Sequence, residues 1–209
     1  MKFAPVTLLF LSAVLIAHGA APASPPAVPA APAVKRAPGE LAPEQLAFWN
    51  RLRAHVGKAY PGRLDDATAY YQNRLAGQTI IVHVREASDN RMHIAMHVGD
   101  NRSRNWILTK TNGTLRLKHD HRDANGKVEA ITEYGGDAPS PGLATRQTFP
   151  ADAHTTSILP DRFDNFWFID FMSDTTLAYG VHWPKVGHSL RIVFDLTKPL
   201  PAPPAPWGY

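Results

Sequence analysis

The chain has 209 residues, no cysteine and a formal charge of +4. The missing cysteine excludes a disulfide framework and a lipid-bearing cysteine, so stability has to come from a packed core. The balance of 22 Lys+Arg against 18 Asp+Glu is only mildly basic, far more dilute than the clustered charge of a nucleic-acid binder.

The first 23 residues, MKFAPVTLLFLSAVLIAHGAAPA, have the order of a secretory signal peptide. Lys2 is a positive n-region, Val6 to Ala17 form the apolar run, and Ala21-Pro22-Ala23 is the small-residue cleavage pattern. The run is too short for a comfortable membrane span, and no other segment approaches that length. The mature chain is therefore expected in the periplasm or secreted. Residues 24–40 are rich in Pro and Ala and read as an extended linker, because they cannot bury a core. A helix is expected from Pro43, with Leu46, Trp49, Leu52, Arg53 and Val56 at helical spacing and Gly57 as the stop. A second, shorter helix is expected from Asp65 to about Asn73.

From Gln78 the apolar period changes to two. TIIVHVRE, RMHIAMHV, NWILTKT, TLRLKHDH, VEAITEY, ATRQTF, NFWFIDFM, TTLAYGVHW and SLRIVFDL all read as strands separated by turn residues. The fold class is therefore mainly β: an antiparallel meander closed as a small barrel or folded as a sandwich, with an N-terminal helix. The folded domain is expected over 41–198, and the Pro-rich tail 199–209 reads as a frayed end.

The stretch LRLKHDHRDANG, residues 115–126, concentrates the polar chemistry. Asn112-Gly113 is a strong two-residue hairpin signal, and a turn there makes facing residues sum to 225. Leu108 then opposes Leu117, Trp106 opposes His119 and Arg104 opposes His121. Asp120 points to the other face with Arg116 and Lys118, which read as ordinary solvated positions. A four-residue loop around Asp123 to Gly126 would next place Glu133 opposite Arg116. It would also put Val128, Ala130, Thr132 and Tyr134 on the Leu117 face. The alternative loop buries Glu129 and Glu133, which is expensive for unpaired carboxylates.

Arg104, Trp106, His119, His121 and Tyr134 thus emerge as candidate ligand-binding residues, a few polar groups at the mouth of an apolar cavity. The blander reading has His119 stacked on Trp106 and His121 capping the sheet end. A zinc site at His119 and His121 would need further ligands from His83, His93, His97 or His182, none at a telling spacing, so no metal is expected. Asp123, Asn125 and Gly126 touch a calcium-loop pattern, but His121 and Thr132 occupy its first and last positions and flanking helices are missing. GxSxG, P-loop, HExxH and GxGxxG motifs are absent, so no cofactor is expected. Gly135-Gly136-Asp137 reads as a turn. Arg102 and Arg104 leave room for an anion site, although a solvated sheet face explains the local basic residues equally well.

HVGDNRSRNWILT, LRLKHDHR, YGGD, RQTFPAD and RIVFDL together resemble a family of uncharacterised exported proteins of Gram-negative bacteria. The likeness covers about 76 to 197 and implies export but no activity. Where members of that family continue LKHDHRHEDG, this chain has LKHDHRDANG, with Asp123 in place of a histidine. The sequence thus favours an exported binding protein for a small, partly apolar ligand, with no nucleic-acid partner and no membrane span. The alternatives are a hydrolase using His119 or His121 as general base, and a structural module of the envelope.

Overall fold

The computed structural model describes residues 36–209. The expected signal peptide and most of the expected Pro/Ala-rich linker lie outside the described residues. A helix, α1 (Pro43–Arg53), is followed by β1 (Lys58–Ala67), α2 (Ala69–Leu75), β2 (Ile80–Ala87), β3 (Arg91–Val98), β4 (Asn101–Thr111), β5 (Thr114–His121), β6 (Tyr134–Asp137), β7 (Arg146–Pro150), α3 (Ala153–Ile158), β8 (Phe166–Phe171), β9 (Thr176–Trp183) and β10 (His188–Asp195). All ten strands join one antiparallel sheet in the order β6-β5-β4-β3-β2-β1-β10-β9-β8-β7. The sheet is a nearly closed barrel rather than a sandwich, because β10 returns to pair with β1 and brings the edges β6 and β7 together. Among the described residues no helix is long and apolar enough to cross a membrane.

The seam between the edges is closed by α3. Gly135 N–H donates to the Thr155 hydroxyl at 2.7 Å, and Asp152 N–H donates to the Gly135 carbonyl at 2.9 Å. Asp152 also caps α3, accepting from Thr155 N–H at 2.9 Å, and receives the Lys118 ammonium at 2.5 Å. Lys118 is therefore a seam residue and not a free surface position. Arg116 is likewise occupied, with Nε 2.5 Å from the Asp137 carboxylate.

Alternation within the strands decides which side chains fill the barrel. Met92, Ile94, Met96 and Val98 of β3 belong to the core, as do Leu115 and Leu117 of β5. One end is closed by α1, whose Phe48, Trp49 and Leu52 are buried. The buried stripe is rotated from the sequence expectation: Gln45 is buried and Leu46 is exposed. The reason is a tertiary bond, since Gln45 Nε2 donates to the Thr114 hydroxyl at 2.9 Å on the rim.

Four further expectations are corrected. The second helix begins only at Ala69, because Lys58–Ala67 forms β1 at the centre of the sheet. Its Pro61 is tolerated because the β10 ladder starts one residue later, at Gly62. VEAITEY, expected as a strand, is mostly loop, and Gly135-Gly136-Asp137, read as a turn, belongs to β6. The strand partner of Arg116 is Asp137, not Glu133.

The tail is not frayed. Leu200 N–H donates to the Ala59 carbonyl at 2.8 Å, and Trp207 N–H to the Arg102 carbonyl at 3.1 Å. Arg102 returns a bond to the Ala205 carbonyl at 3.1 Å. The Tyr209 hydroxyl donates to Asp120, whose carboxylate also accepts from Arg122 Nε at 3.0 Å. Asp120 points outward as expected but is 3% exposed, because the tail packs over it. A proline-rich segment has little freedom to lose on docking, which makes so few contacts sufficient.

Candidate functional site

The β4–β5 hairpin has the expected register, with Arg104 opposite His121, Trp106 opposite His119 and Leu108 opposite Leu117. Tyr134 opposes His119 at the start of β6. The barrel interior beyond these residues is hollow, with a cavity of about 490 Å³. Arg104, Trp106, His119, His121 and Tyr134 all line it. So do Trp167, Tyr179 and Val181 of β8 and β9, Tyr71 and Arg74 of α2, and Arg162. The end packed against α1 is filled, whereas the end covered by α2 is open.

The aromatic walls hold one another. Trp106 stacks on Tyr179 with ring centres 4.0 Å apart and planes 19° from parallel. His119 stacks on Tyr134 at 4.6 Å and 11°, and meets Trp106 only edge-on at 6.5 Å. The expected His119–Trp106 stack is thus replaced, because β6 brings Tyr134 against the imidazole.

His119 uses both ring nitrogens. A carbonyl oxygen only accepts, so Nδ1 carries the proton and donates to the Tyr134 carbonyl at 3.0 Å. Nε2 then accepts from the Tyr179 hydroxyl at 2.8 Å. His121 Nε2 lies 2.9 Å from the Tyr134 hydroxyl, and its Nδ1 is 3.8 Å from Glu129. Burial pushes the His119 pKa down to about 3, against a smaller opposing effect of its bond to the Tyr134 carbonyl. Burial and then Arg104 push His121 down to about 4. Burial raises Tyr134 to about 12 and Tyr179 well above its ordinary value. At neutral pH the network is therefore uncharged.

A pH dependence follows. Unfolded, both imidazoles protonate near 6.5; folded, they resist until about 3 and about 4. The unfolded chain binds more protons across that window, so stability is full above pH 6.5 and falls as the pH drops toward 4. Between pH 7 and pH 5 His119 alone should remove about 2 kcal/mol. Urea unfolding at both values should show a smaller difference in His119→Gln than in the wild type. Equal differences would contradict this assignment.

The other histidines considered for a metal are placed elsewhere. His93 and His97 alternate with the core residues of β3 and face outward. His83 is the β2 neighbour of outward-facing Ala95, and His182 stacks on Phe166 at 5.0 Å. Among the described residues no group of three His, Cys, Asp or Glu is placed to hold a metal ion. Asp123 serves its own turn, accepting from Asn125 N–H at 2.9 Å and Lys127 N–H at 3.0 Å. Arg102 and Arg104, two residues apart, part company at an irregularity in β3–β4 pairing. Arg102 holds the tail, while Arg104 lines the cavity.

Sequence reasoning missed Trp167, Tyr179, Tyr71 and Arg162. Trp167 and Tyr179 were legible as strand residues, but only the closure of β10 on β1 carries their strands across the barrel from β5. No family model, no curated protein and no solved structure matches this chain.

Proposed function

We propose that this chain is an exported binding protein that takes up a small, partly apolar ligand in the open half of its barrel. The observation that carries the reading is the cavity itself: about 490 Å³ of space walled by Trp106, Trp167, Tyr134 and Tyr179, with polar groups at defined points. That size and composition suit a small-molecule site. The leader-like first 23 residues support a periplasmic or secreted location.

Hydrolysis draws less support. A general base works best with a pKa near the operating pH, and His119 and His121 are pushed to about 3 and about 4. Both His119 nitrogens are also engaged. The structural reading leaves the cavity without a role.

The test is titration with N-phenyl-1-naphthylamine, an uncharged dye that fluoresces in apolar surroundings. One dye per chain is expected to bind the wild type. Val181→Trp, which fills the space from the wall, should abolish binding while the fold persists. Absence of binding, or equal binding by Val181→Trp, would remove the proposal.

A further inference from the structure

We infer, given that the cavity binds a ligand, that the ligand is an amphipathic anion, its apolar body against the aromatic walls and its carboxylate-type group held by Arg104 and Arg162. Arg74, Arg104 and Arg162 come from α2, β4 and the turn before β8, and all three line this cavity. Among the described residues no aspartate or glutamate lines it. Outside the cavity, Arg51, Arg63, Arg116, Arg122, Arg146 and Arg191 each pair with an aspartate, whereas Arg85, Arg91 and Arg102 do not. Among the described residues the three cavity arginines form no ion pair.

They are nevertheless held in position by neutral groups. Arg162 lies over the Trp183 ring at 4.1 Å, and Arg74 lies over Tyr70 at 3.7 Å. Arg104 donates to the Asn101 side-chain oxygen at 3.1 Å. A guanidinium has five N–H donors in a fixed fork, so each retains donors for an incoming anion. Three like charges around one cavity repel each other, and an anion relieves that repulsion while making charge-assisted bonds. Glu129, 3.8 Å from His121 Nδ1 and partly exposed, offsets only part of this charge. The neutral histidines add none. A single planar carboxylate on an apolar body therefore fits better than a multiply charged phosphate, because the remaining walls are mostly aromatic and aliphatic, with Gln78, Asn101 and Asn165 as neutral polar points.

The test compares two dyes of one ring system. 1-Anilinonaphthalene-8-sulfonate carries an anion; N-phenyl-1-naphthylamine does not. The sulfonate should bind one per chain and at least about tenfold more tightly, and octanoate should displace it where octanol does not. Arg104→Gln and Arg162→Gln should each weaken sulfonate binding about tenfold and leave the neutral dye within twofold. Thermal unfolding of both variants shows whether they are folded, and either one alone suffices. If both dyes bind alike and both variants are silent, the cavity selects apolar character only; this inference falls and the binding reading stands. Parallel loss of both dyes in a folded variant also overturns it. If neither dye binds the wild type, both readings fall.

Discussion

Gly136→Ala is expected to destabilise the folded domain by more than about 4 kcal/mol, in the range reserved for exceptional substitutions. A Cβ on Gly136 would sit 2.0 Å from the Pro150 carbonyl oxygen, across the seam where β6 meets β7. The obstacle is backbone and cannot rotate away. Moving it would also disturb the Asp152 N–H bond to Gly135 and the cap of α3. The neighbouring position is as tight: at Gly135 a Cβ would meet the Leu117 carbonyl at 2.0 Å, and φ is +138°. Gly187→Ala is the control. Unlike Gly136 it is left-handed, at φ +64°, but it has nothing within 4 Å, so only backbone strain of about 1–2 kcal/mol is expected. Urea unfolding of the three proteins reads the difference. A Gly136→Ala variant no less stable than Gly187→Ala would mean that the seam is open.

The second large effect separates filled core from cavity wall. Phe48 is fully buried on α1 and meets Phe171 edge-on at 5.9 Å, at the closed end of the barrel. Phe48→Ala should cost about 3–5 kcal/mol and leave dye binding intact, because the cavity lies at the other end. Trp106 is 1% exposed, yet part of its surface borders empty space. Its replacement by Ala loses the stack on Tyr179 but fewer packing contacts, so the cost should stay near the low end, about 3 kcal/mol. Binding of N-phenyl-1-naphthylamine should be lost. Retained binding in Trp106→Ala, or loss confined to Phe48→Ala, would put the site at the wrong end of the barrel.

Which parts of this arrangement could be read from the sequence depends on how local their causes are. The β4–β5 hairpin was legible because Asn112-Gly113 sets a register that alternation then carries to His121. Tyr134 was assigned to the correct face through the wrong pairing. The expected and observed registers differ by four residues, and an even slip preserves which face a strand residue occupies. β1 was hidden because Pro61, Gly62, Asp65 and Asp66 are poor strand formers, and only pairing with β2 and β10 overrides them. The docked tail was hidden for a similar reason. Its anchor is Asp120, whose strand position shows that it points outward but not what covers it. The cavity's far wall depends on barrel closure, a non-local event with no signal in the strands themselves.

The central claim is that the α2 end of the barrel is a binding cavity and the α1 end is filled core. Methyl NMR of the isotope-labelled protein titrated with N-phenyl-1-naphthylamine tests it at both ends at once. Met96, Val181 and Leu190 line the cavity, while Met92 and Leu115 are fully buried core residues that do not. The predicted result is large, saturable shifts for the first three and little change for Met92 and Leu115. Shifts spread evenly over all five methyl-bearing residues, or none at saturating dye, would contradict the account.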